Sequence, residues 1–84
     1  MAKRQSGDAS RTKRGFAKRL KAARISAGYE TQIAMAERIG SEHETYRRWE
    51  RAETEPPYFM LVRIGEAVGK SLDFLICGPD EPNS

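Results

Sequence analysis

The chain has 84 residues, which is enough for one small domain with a limited hydrophobic core. Hydrophobic residues make up 38% and charged residues 32%, as in a soluble globular protein, and no apolar run approaches the roughly 18 residues of a membrane span. The single cysteine, Cys77, excludes an internal disulfide and the basic start lacks the apolar stretch of a secretory signal, so we expect a cytoplasmic protein.

The net charge of +3 conceals an uneven distribution of charge along the chain. Residues 1–27 contain nine lysines and arginines against one acid, Asp8, and so carry +8, whereas residues 28–84 carry −5. A concentrated basic segment predicts a polyanionic partner on one side of the molecule. A solvated, solubilising tail would have the same composition, and for this segment alone the two interpretations are equally supported.

The N-terminal third of the chain is predicted to form a basic arm followed by a helix. Residues 1–12 are polar, contain Gly and Ser and show no periodicity, which indicates a flexible arm. A first helix is predicted from about Thr12 to Ala27, because Gly28 suits a helix C-terminus. Its apolar side chains recur at helical spacing on one side: Phe16, Leu20, Ala23 and Ala27, flanked by Ile25.

Two short amphipathic helices are predicted next. The second helix begins after Thr31, a suitable N-cap, and ends at Gly40. Its buried residues are expected to be Ile33, Met35, Ala36 and Ile39. The segment from Ser41 to Glu44 has the form of a capping box, in which Ser41 and Glu44 satisfy each other's first-turn amides. A third helix is therefore predicted over about Glu42 to Arg51, with Tyr46, Trp49 and Glu50 facing inward.

The remainder of the chain predicts two further helices and a tail. Pro57 suits the first turn of a fourth helix, which stops at Gly69. This helix is expected to bury Tyr58, Leu61, Ile64, Ala67 and Val68. Ser71 caps a short fifth helix from Leu72 to Ile76, and residues 79–84 form a C-terminal tail. Because no strand alternation occurs, the fold class is all-α, with one domain at 13–78.

The second and third predicted helices, at about 31–51, are joined through Gly40. A pair of this length with a short glycine turn is typical of the helix-turn-helix unit. In that unit the second helix enters the DNA major groove and the first lies across the backbone. The groove-facing helix would then present acids, a histidine and two arginines.

An ordered set of residues extends from about Phe16 to Gly78. It comprises Leu20, Arg24, Gly28, Ala36, Gly40, the run Tyr46-Arg47-Arg48-Trp49-Glu50-Arg51, Pro56 and the run Ser71-Leu72-Asp73-Phe74-Leu75. This set resembles the Cro/C1-type, or XRE-type, helix-turn-helix regulators, and in particular their phage-repressor-like branch. The resemblance implies a compact five-helix, lambda-repressor-like domain, bacterial or phage-encoded and associated with the nucleoid, that binds operator DNA as a homodimer.

The resemblance also implies which residues contact DNA. The positions that read base edges match Glu42, His43, Glu44, Arg47 and Arg48. The positions that contact phosphate match Thr31 or Gln32 at the start of the second helix and Arg51 just past the third, where Ala52 replaces a common glycine. Lys13 and Arg14 continue the basic arm and are further predicted phosphate contacts. Local chemistry agrees, since arginine can grip guanine O6 and N7 and helix N-terminal amides bind phosphate.

Glu42 and Glu44 depart from a uniformly basic recognition helix. Phosphates repel carboxylates, although Glu can accept a hydrogen bond from cytosine N4. For Glu44 the capping box and the helix dipole favour a capping role, whereas for Glu42 dipole stabilisation and base reading stay equally open. The two acids predict weak binding to nonspecific DNA and a greater dependence on the arm for affinity.

Arg24 and Glu50 are expected to have a structural role. The family commonly links an Arg late in its first helix to a Glu at the end of the recognition helix. Such a pair would fix the angle of the third helix rather than contact DNA. Trp49 is likewise expected to pack in the core.

Other chemistry has little support in the sequence. One His and one Cys cannot supply a zinc site, which needs about four ligands, and no glycine-rich phosphate loop is present. We expect no catalytic residue, metal or cofactor. Two classes of function stay open: a sequence-specific transcriptional regulator, acting as a repressor, and a protein-interaction module on the same scaffold, such as an antitoxin or partner subunit. The expected dimer contact is the exposed part of Leu72 to Ile76 with the end of the fourth helix.

Overall fold

The computed structural model describes residues 12–78, so the predicted arm up to residue 11 and the predicted tail at 79–84 lie outside the described residues. Five α-helices follow one another along this part of the chain: α1 (Lys13–Ser26), α2 (Gln32–Ile39), α3 (His43–Glu50), α4 (Tyr58–Val68) and α5 (Leu72–Cys77). No strand occurs between residues 12 and 78, and the all-α prediction is confirmed.

Local capping signals set most of the helix ends. The hydroxyls of Thr12, Thr31 and Ser71 each accept a hydrogen bond from a first-turn amide, at 3.1, 3.0 and 3.1 Å. These bonds satisfy N–H groups that have no partner inside the helix. At the other end, α2 and α4 close on Gly40 and Gly69, with φ of 78° and 72°, a left-handed conformation that glycine adopts without steric cost.

The predicted capping box at Ser41 is wrong. The helix α3 begins at His43, its N-cap is Glu42, and no side chain caps it. The Ser41 amide donates to the Ala36 carbonyl at 2.9 Å, as part of the turn that closes α2 after Gly40. The amide that Glu44 would have bonded is therefore already occupied, and the Ser41 hydroxyl instead donates to the Glu42 carbonyl at 2.9 Å.

The core is formed where α1 packs against α3 and α5, while α2 packs against α3 and α4. Its side chains are Phe16, Leu20, Ala23, Met35, Ala36, Ile39, Tyr46, Trp49, Met60, Ile64, Val68 and Leu75. Tyr46 and Trp49 meet edge to face, with ring centroids 5.9 Å apart. Because both aromatic side chains of α3 point inward, the opposite face of this helix is directed to solvent.

Three residues predicted to be buried are exposed instead. Ile33 is 51% exposed and Tyr58 is 72% exposed. At about 100° per residue, each lies roughly 120° from the centre of the buried stripe of its helix. Met60, which was not predicted, occupies the buried face of α4. Ala27 is exposed because it lies just past the last residue of α1.

Two arginines tie helix ends together across the fold. Arg19 in α1 donates from Nε to the Leu75 carbonyl at 2.9 Å and from Nη2 to the Ile76 carbonyl at 2.7 Å. Arg63 in α4 donates to the Ile39 carbonyl at 3.1 Å. Both guanidinium groups satisfy carbonyls at the C-terminal ends of α5 and α2, where a positive charge is favoured.

Candidate nucleic-acid interface

The exposed face of α3 carries four of the predicted base-reading residues. His43, Glu44, Arg47 and Arg48 all have side chains that are about half exposed. Glu42, the fifth, is exposed at the N-cap just before the helix. The structure therefore brings the predicted base-reading residues together on one surface, opposite the buried Tyr46 and Trp49.

The two arginines on this surface share one carboxylate. Glu44 Oε1 lies 3.5 Å from Arg47 Nη1, and Glu44 Oε2 lies 3.6 Å from Arg48 Nε. Glu44 thus makes no capping-box bond; it lies in the first turn, where the helix dipole favours an acid, and pairs with two arginines one helical turn further along. All three side chains are exposed, so these pairs contribute little to stability and can be exchanged for other partners.

The other basic residues of this surface also lie near acids. His43 Nε2 lies 3.7 Å from Glu37 Oε2 of α2. Arg51, which follows α3 and was predicted to contact phosphate, lies 2.8 Å from Glu53. In each case the acid is close in sequence or on the neighbouring helix of the pair. The charge that this surface offers to an anion is therefore partly neutralised within the protein.

A buried ion pair fixes the inner side of α3. Arg24 Nε donates to Glu50 Oε2 at 2.7 Å, and the two side chains are only 5% and 2% exposed. A second nitrogen, Nη2, reaches Oε1 at 3.4 Å, and Nη1 donates to the Tyr29 carbonyl at 2.9 Å. The structure brings together the two residues expected to pair, and their burial removes both from any contact with DNA.

Two further residues complete this buried cluster. Gln32 Nε2 donates to Glu50 Oε1 at 2.9 Å, and the Tyr46 hydroxyl donates to Glu50 Oε2. Burial opposes ionisation of Glu50, but hydrogen bonds from Arg24, Gln32 and Tyr46 hold the pKa of its carboxyl below the ordinary value. Burial, together with the neighbouring carboxylate, raises the pKa of the Tyr46 hydroxyl well above its usual range.

Two members of the buried cluster, Tyr46 and Gln32, were not predicted from the sequence to contact Glu50. Tyr46 precedes Glu50 by four residues, a spacing that puts both on one side of a helix and could have indicated the bond. Gln32 lies 18 positions away on another helix, so nothing local predicts its contact. At the start of α2, the Thr31 hydroxyl caps the helix and the Gln32 amide serves Glu50. The Gln32 amide is therefore engaged inside the protein, whereas the exposed Thr31 hydroxyl accepts one hydrogen bond and can still donate another.

A second basic surface lies on α1. Its sequence contains no acid, and its cations Lys13, Arg14, Lys18 and Lys21 are exposed. None of these four forms an ion pair with any residue between 12 and 78. We call this set the basic face of α1. Unlike the arginines of α3, these cations have no ion-pair partner in the described part of the chain.

An open cleft of about 710 Å³ joins this basic face to the end of α3. It is lined by Thr12, Lys13, Arg14, Gly15, Lys18, Arg19 and Ala52. Ala52 is in the turn directly after α3 and has φ of 63°, a left-handed conformation that is strained for a residue with a Cβ. The basic face of α1 thus lies beside the turn that follows α3.

Other kinds of site have little basis in the described part of the chain. Between residues 12 and 78, no three His, Cys, Asp or Glu side chains are grouped closely enough to hold a metal ion. In the same range, none of the helices has the length and apolar character needed to cross a membrane.

Three features define a helix-turn-helix domain: the pair of helices α2 and α3, the exposed polar face of α3, and the buried Arg24–Glu50 pair, which anchors α3. Residues 20–75 match the model of the helix-turn-helix family HTH_3, and the chain belongs to this family. The resemblance to Cro/C1-type, or XRE-type, regulators is thereby confirmed. DNA is the ligand that this family implies.

The chain is also similar to a prophage protein. It is 36% identical over 63 residues to the SPbeta prophage-derived uncharacterized HTH-type transcriptional regulator YonR of Bacillus subtilis (strain 168). The alignment covers 75% of this chain and 57% of that relative, so the chain spans little more than half of the relative's length. No solved structure shows significant similarity to the chain.

Proposed function

We propose that this protein is a sequence-specific DNA-binding transcriptional regulator, acting as a repressor, whose helix α3 enters the major groove. The observation that carries the proposal is the division of α3 into two faces. Its inner face is held by the buried Arg24–Glu50 pair, and its outer face presents Arg47, Arg48 and His43 to solvent. Membership of the helix-turn-helix family and the similarity to a prophage regulator support it.

Base reading is assigned to the outer face of α3. Arg47 and Arg48 have exposed guanidinium groups, whose planar forks match O6 and N7 of guanine. His43, at the first position of the helix, can donate to a base or a phosphate. Glu42 and Glu44 can accept from cytosine N4. An operator rich in G·C pairs at these positions follows from this set.

Phosphate contacts are assigned to the two sides of the recognition helix. At the start of α2 the Gln32 amide is engaged with Glu50, so the Thr31 hydroxyl, which can still donate, and the first-turn amides of the helix supply the contact there. Past α3, Arg51 serves the neighbouring phosphate after exchanging its bond to Glu53. Lys13 and Arg14 line the cleft beside Ala52 and hold the backbone further along.

A homodimer on a palindromic operator is the proposed assembly. A concavity of about 210 Å³ lies between α1, α4 and α5, lined by Thr12, Lys13, Phe16, Glu55, Pro56, Leu61 and Ile76. Ile76 is exposed on α5, and Tyr58 and Phe59 are exposed at the start of α4. An apolar contact of this kind supports pairing of two copies. Ile76→Asp is expected to shift the protein from dimer to monomer by analytical ultracentrifugation.

The test of this function is selection of duplex DNA from a random library, followed by a salt titration of the selected sequence. Selective binding that weakens steeply with salt, and that is lost when Arg47 and Arg48 are both changed to Ala, is the expected outcome. No duplex binding even at low salt would overturn the proposal. It would favour the alternative, a protein-interaction module such as an antitoxin or partner subunit, which neither the family nor the prophage relative favours. The regulator would act in the cytoplasm, on a bacterial or phage genome.

A further inference from the structure

We infer that Glu44 is a specificity-determining residue: its carboxylate is an internal counter-ion for Arg47 and Arg48 that nonspecific DNA must displace. The inference rests on the proposed function. It differs from base reading by Glu44, because the effect is exerted through the two arginines and is present before any base is contacted.

The geometry places one carboxylate between two guanidinium groups. Each oxygen of Glu44 faces a different arginine, Oε1 towards Arg47 at 3.5 Å and Oε2 towards Arg48 at 3.6 Å. The spacings of three and four residues place all three side chains on one side of α3. All three are about half exposed, so a phosphate that approaches either arginine meets a guanidinium group that already has an anionic partner.

On nonspecific DNA the arginines can gain only phosphate contacts. Each such contact exchanges one anionic partner, Glu44, for another, and the released carboxylate then lies beside the phosphates that repel it. The net gain in binding free energy on nonspecific DNA is therefore small. This argument applies to any sequence, because the phosphate backbone is the same throughout.

On a matching site the arginines can gain contacts to bases without losing Glu44. Guanine O6 and N7 are neutral acceptors, so an arginine can bond to them without exchanging one charged partner for another. Glu44 can meanwhile accept from a cytosine N4 amino group or keep a bond to the second arginine. The carboxylate is thus a penalty on nonspecific DNA that correct bases remove, which widens the affinity ratio between the two.

The test compares Glu44→Gln with two other acid-to-amide changes on a random-sequence duplex at fixed low salt. Glu66→Gln removes the same charge from an exposed site on α4. Glu42→Gln removes it at the N-cap of α3, where within residues 12–78 the acid has no ion pair. E44Q is expected to tighten nonspecific binding about fivefold, as two exposed ion pairs are lost. E42Q should tighten nonspecific binding about twofold, because a negative charge near the phosphates is lost, and E66Q should cause no measurable change. Unchanged far-ultraviolet circular dichroism and thermal midpoint keep the comparison free of folding effects.

A double-mutant cycle identifies the route of the effect. In an R47Q/R48Q background, E44Q should change nonspecific affinity no more than E42Q does. An undiminished fivefold gain in that background, or equal gains for E44Q and E42Q in the native background, would overturn the inference while leaving DNA binding intact. Failure of the unmodified protein to bind any duplex would overturn the proposed function itself, so the two failures are distinguishable.

Discussion

The basic face of α1 and the outer face of α3 are both rich in cations, yet their electrostatic situations differ. Lys13, Arg14 and Lys18 have no acidic partner between residues 12 and 78, whereas Arg47 and Arg48 share Glu44. An unpaired cation attracts any phosphate, while a paired one gains only where the new contacts exceed the old. The proposed function therefore predicts that α1 supplies affinity and α3 supplies discrimination.

The largest effect is expected from removing the anchor that holds α3 in place. Arg24→Ala leaves the Glu50 carboxylate buried and unpaired, and should lower the free energy of unfolding by about 3–5 kcal/mol. Urea denaturation followed by circular dichroism measures the loss. Arg47→Ala, at an exposed site on the same helix, should cost less than about 0.5 kcal/mol. Equal losses for the two variants would mean that the buried pair does not anchor the helix.

Next in size is the loss of discrimination expected from Arg48→Ala. Removing a bidentate contact to guanine should weaken operator binding by about 1–3 kcal/mol and relax the preference at one position of the site. Selection from a random duplex library with the variant reports that position. An unaltered consensus with uniformly lower affinity would instead place Arg48 on the phosphate backbone.

The anchor also predicts a dependence of stability on pH. Because the pKa of Glu50 is lowered on folding, its contribution is fully present above the carboxyl's unfolded value of 4.5 and is lost as the pH falls through the lower, folded value. The stability advantage of the native chain over Glu50→Gln should therefore shrink progressively as the pH is reduced below about 4.5. Urea midpoints of both proteins between pH 7 and pH 3 check this, and a constant difference across the range would contradict it.

Lys13→Gln is expected to have a smaller effect, the same on every sequence. Loss of one phosphate contact should lower affinity for operator and random duplexes alike and reduce the salt slope by about 1. Lys70→Gln is the matched control, since the Lys70 ammonium lies over the Phe74 ring and away from the cleft. A loss of affinity for the operator alone would contradict the proposal that α1 supplies affinity and α3 supplies discrimination.

The smallest effect concerns the turn that joins the two faces. Ala52 has φ of 63°, so Ala52→Gly should relieve strain and raise the free energy of unfolding by about 1 kcal/mol. Thermal unfolding of the two proteins provides the measurement. Gly65→Ala offers the opposite case, because a Cβ there would lie 2.9 Å from the Lys70 carbonyl and should destabilise α4. Destabilisation by A52G would show that the turn is not strained.

The parts of this fold that could be predicted from sequence are those fixed by local chemistry. Thr31 and Ser71 cap helices and Gly40 and Gly69 end them, since a hydroxyl or a missing Cβ acts within one turn of the chain. The Ser41 capping box failed because the preceding helix had already used the Ser41 amide. Gln32 joined the buried cluster through a contact between helices, which depends on packing that no local pattern encodes.

The predicted base-reading residues lie on one exposed face, as the helical periodicity of α3 requires. Their partners in the free protein were harder to predict. The spacing of Glu44, Arg47 and Arg48 allows their ion pairs, yet the same spacing also fits a first-turn acid that stabilises the helix dipole. With α3 starting at His43, Glu44 lies in the first turn and also pairs with both arginines, so the two roles coexist.

The two faces of α3 share no side chain: Tyr46, Trp49 and Glu50 are held inside, and His43, Glu44, Arg47 and Arg48 are outside. Mutations in the outer set therefore leave the packing of the helix untouched. If the outer set reads the operator as proposed, sequence preference can change in a lineage under selection by substitution of these four residues, without a new fold having to evolve. The outer residues of α3 can therefore be replaced while its inner residues keep the helix in position.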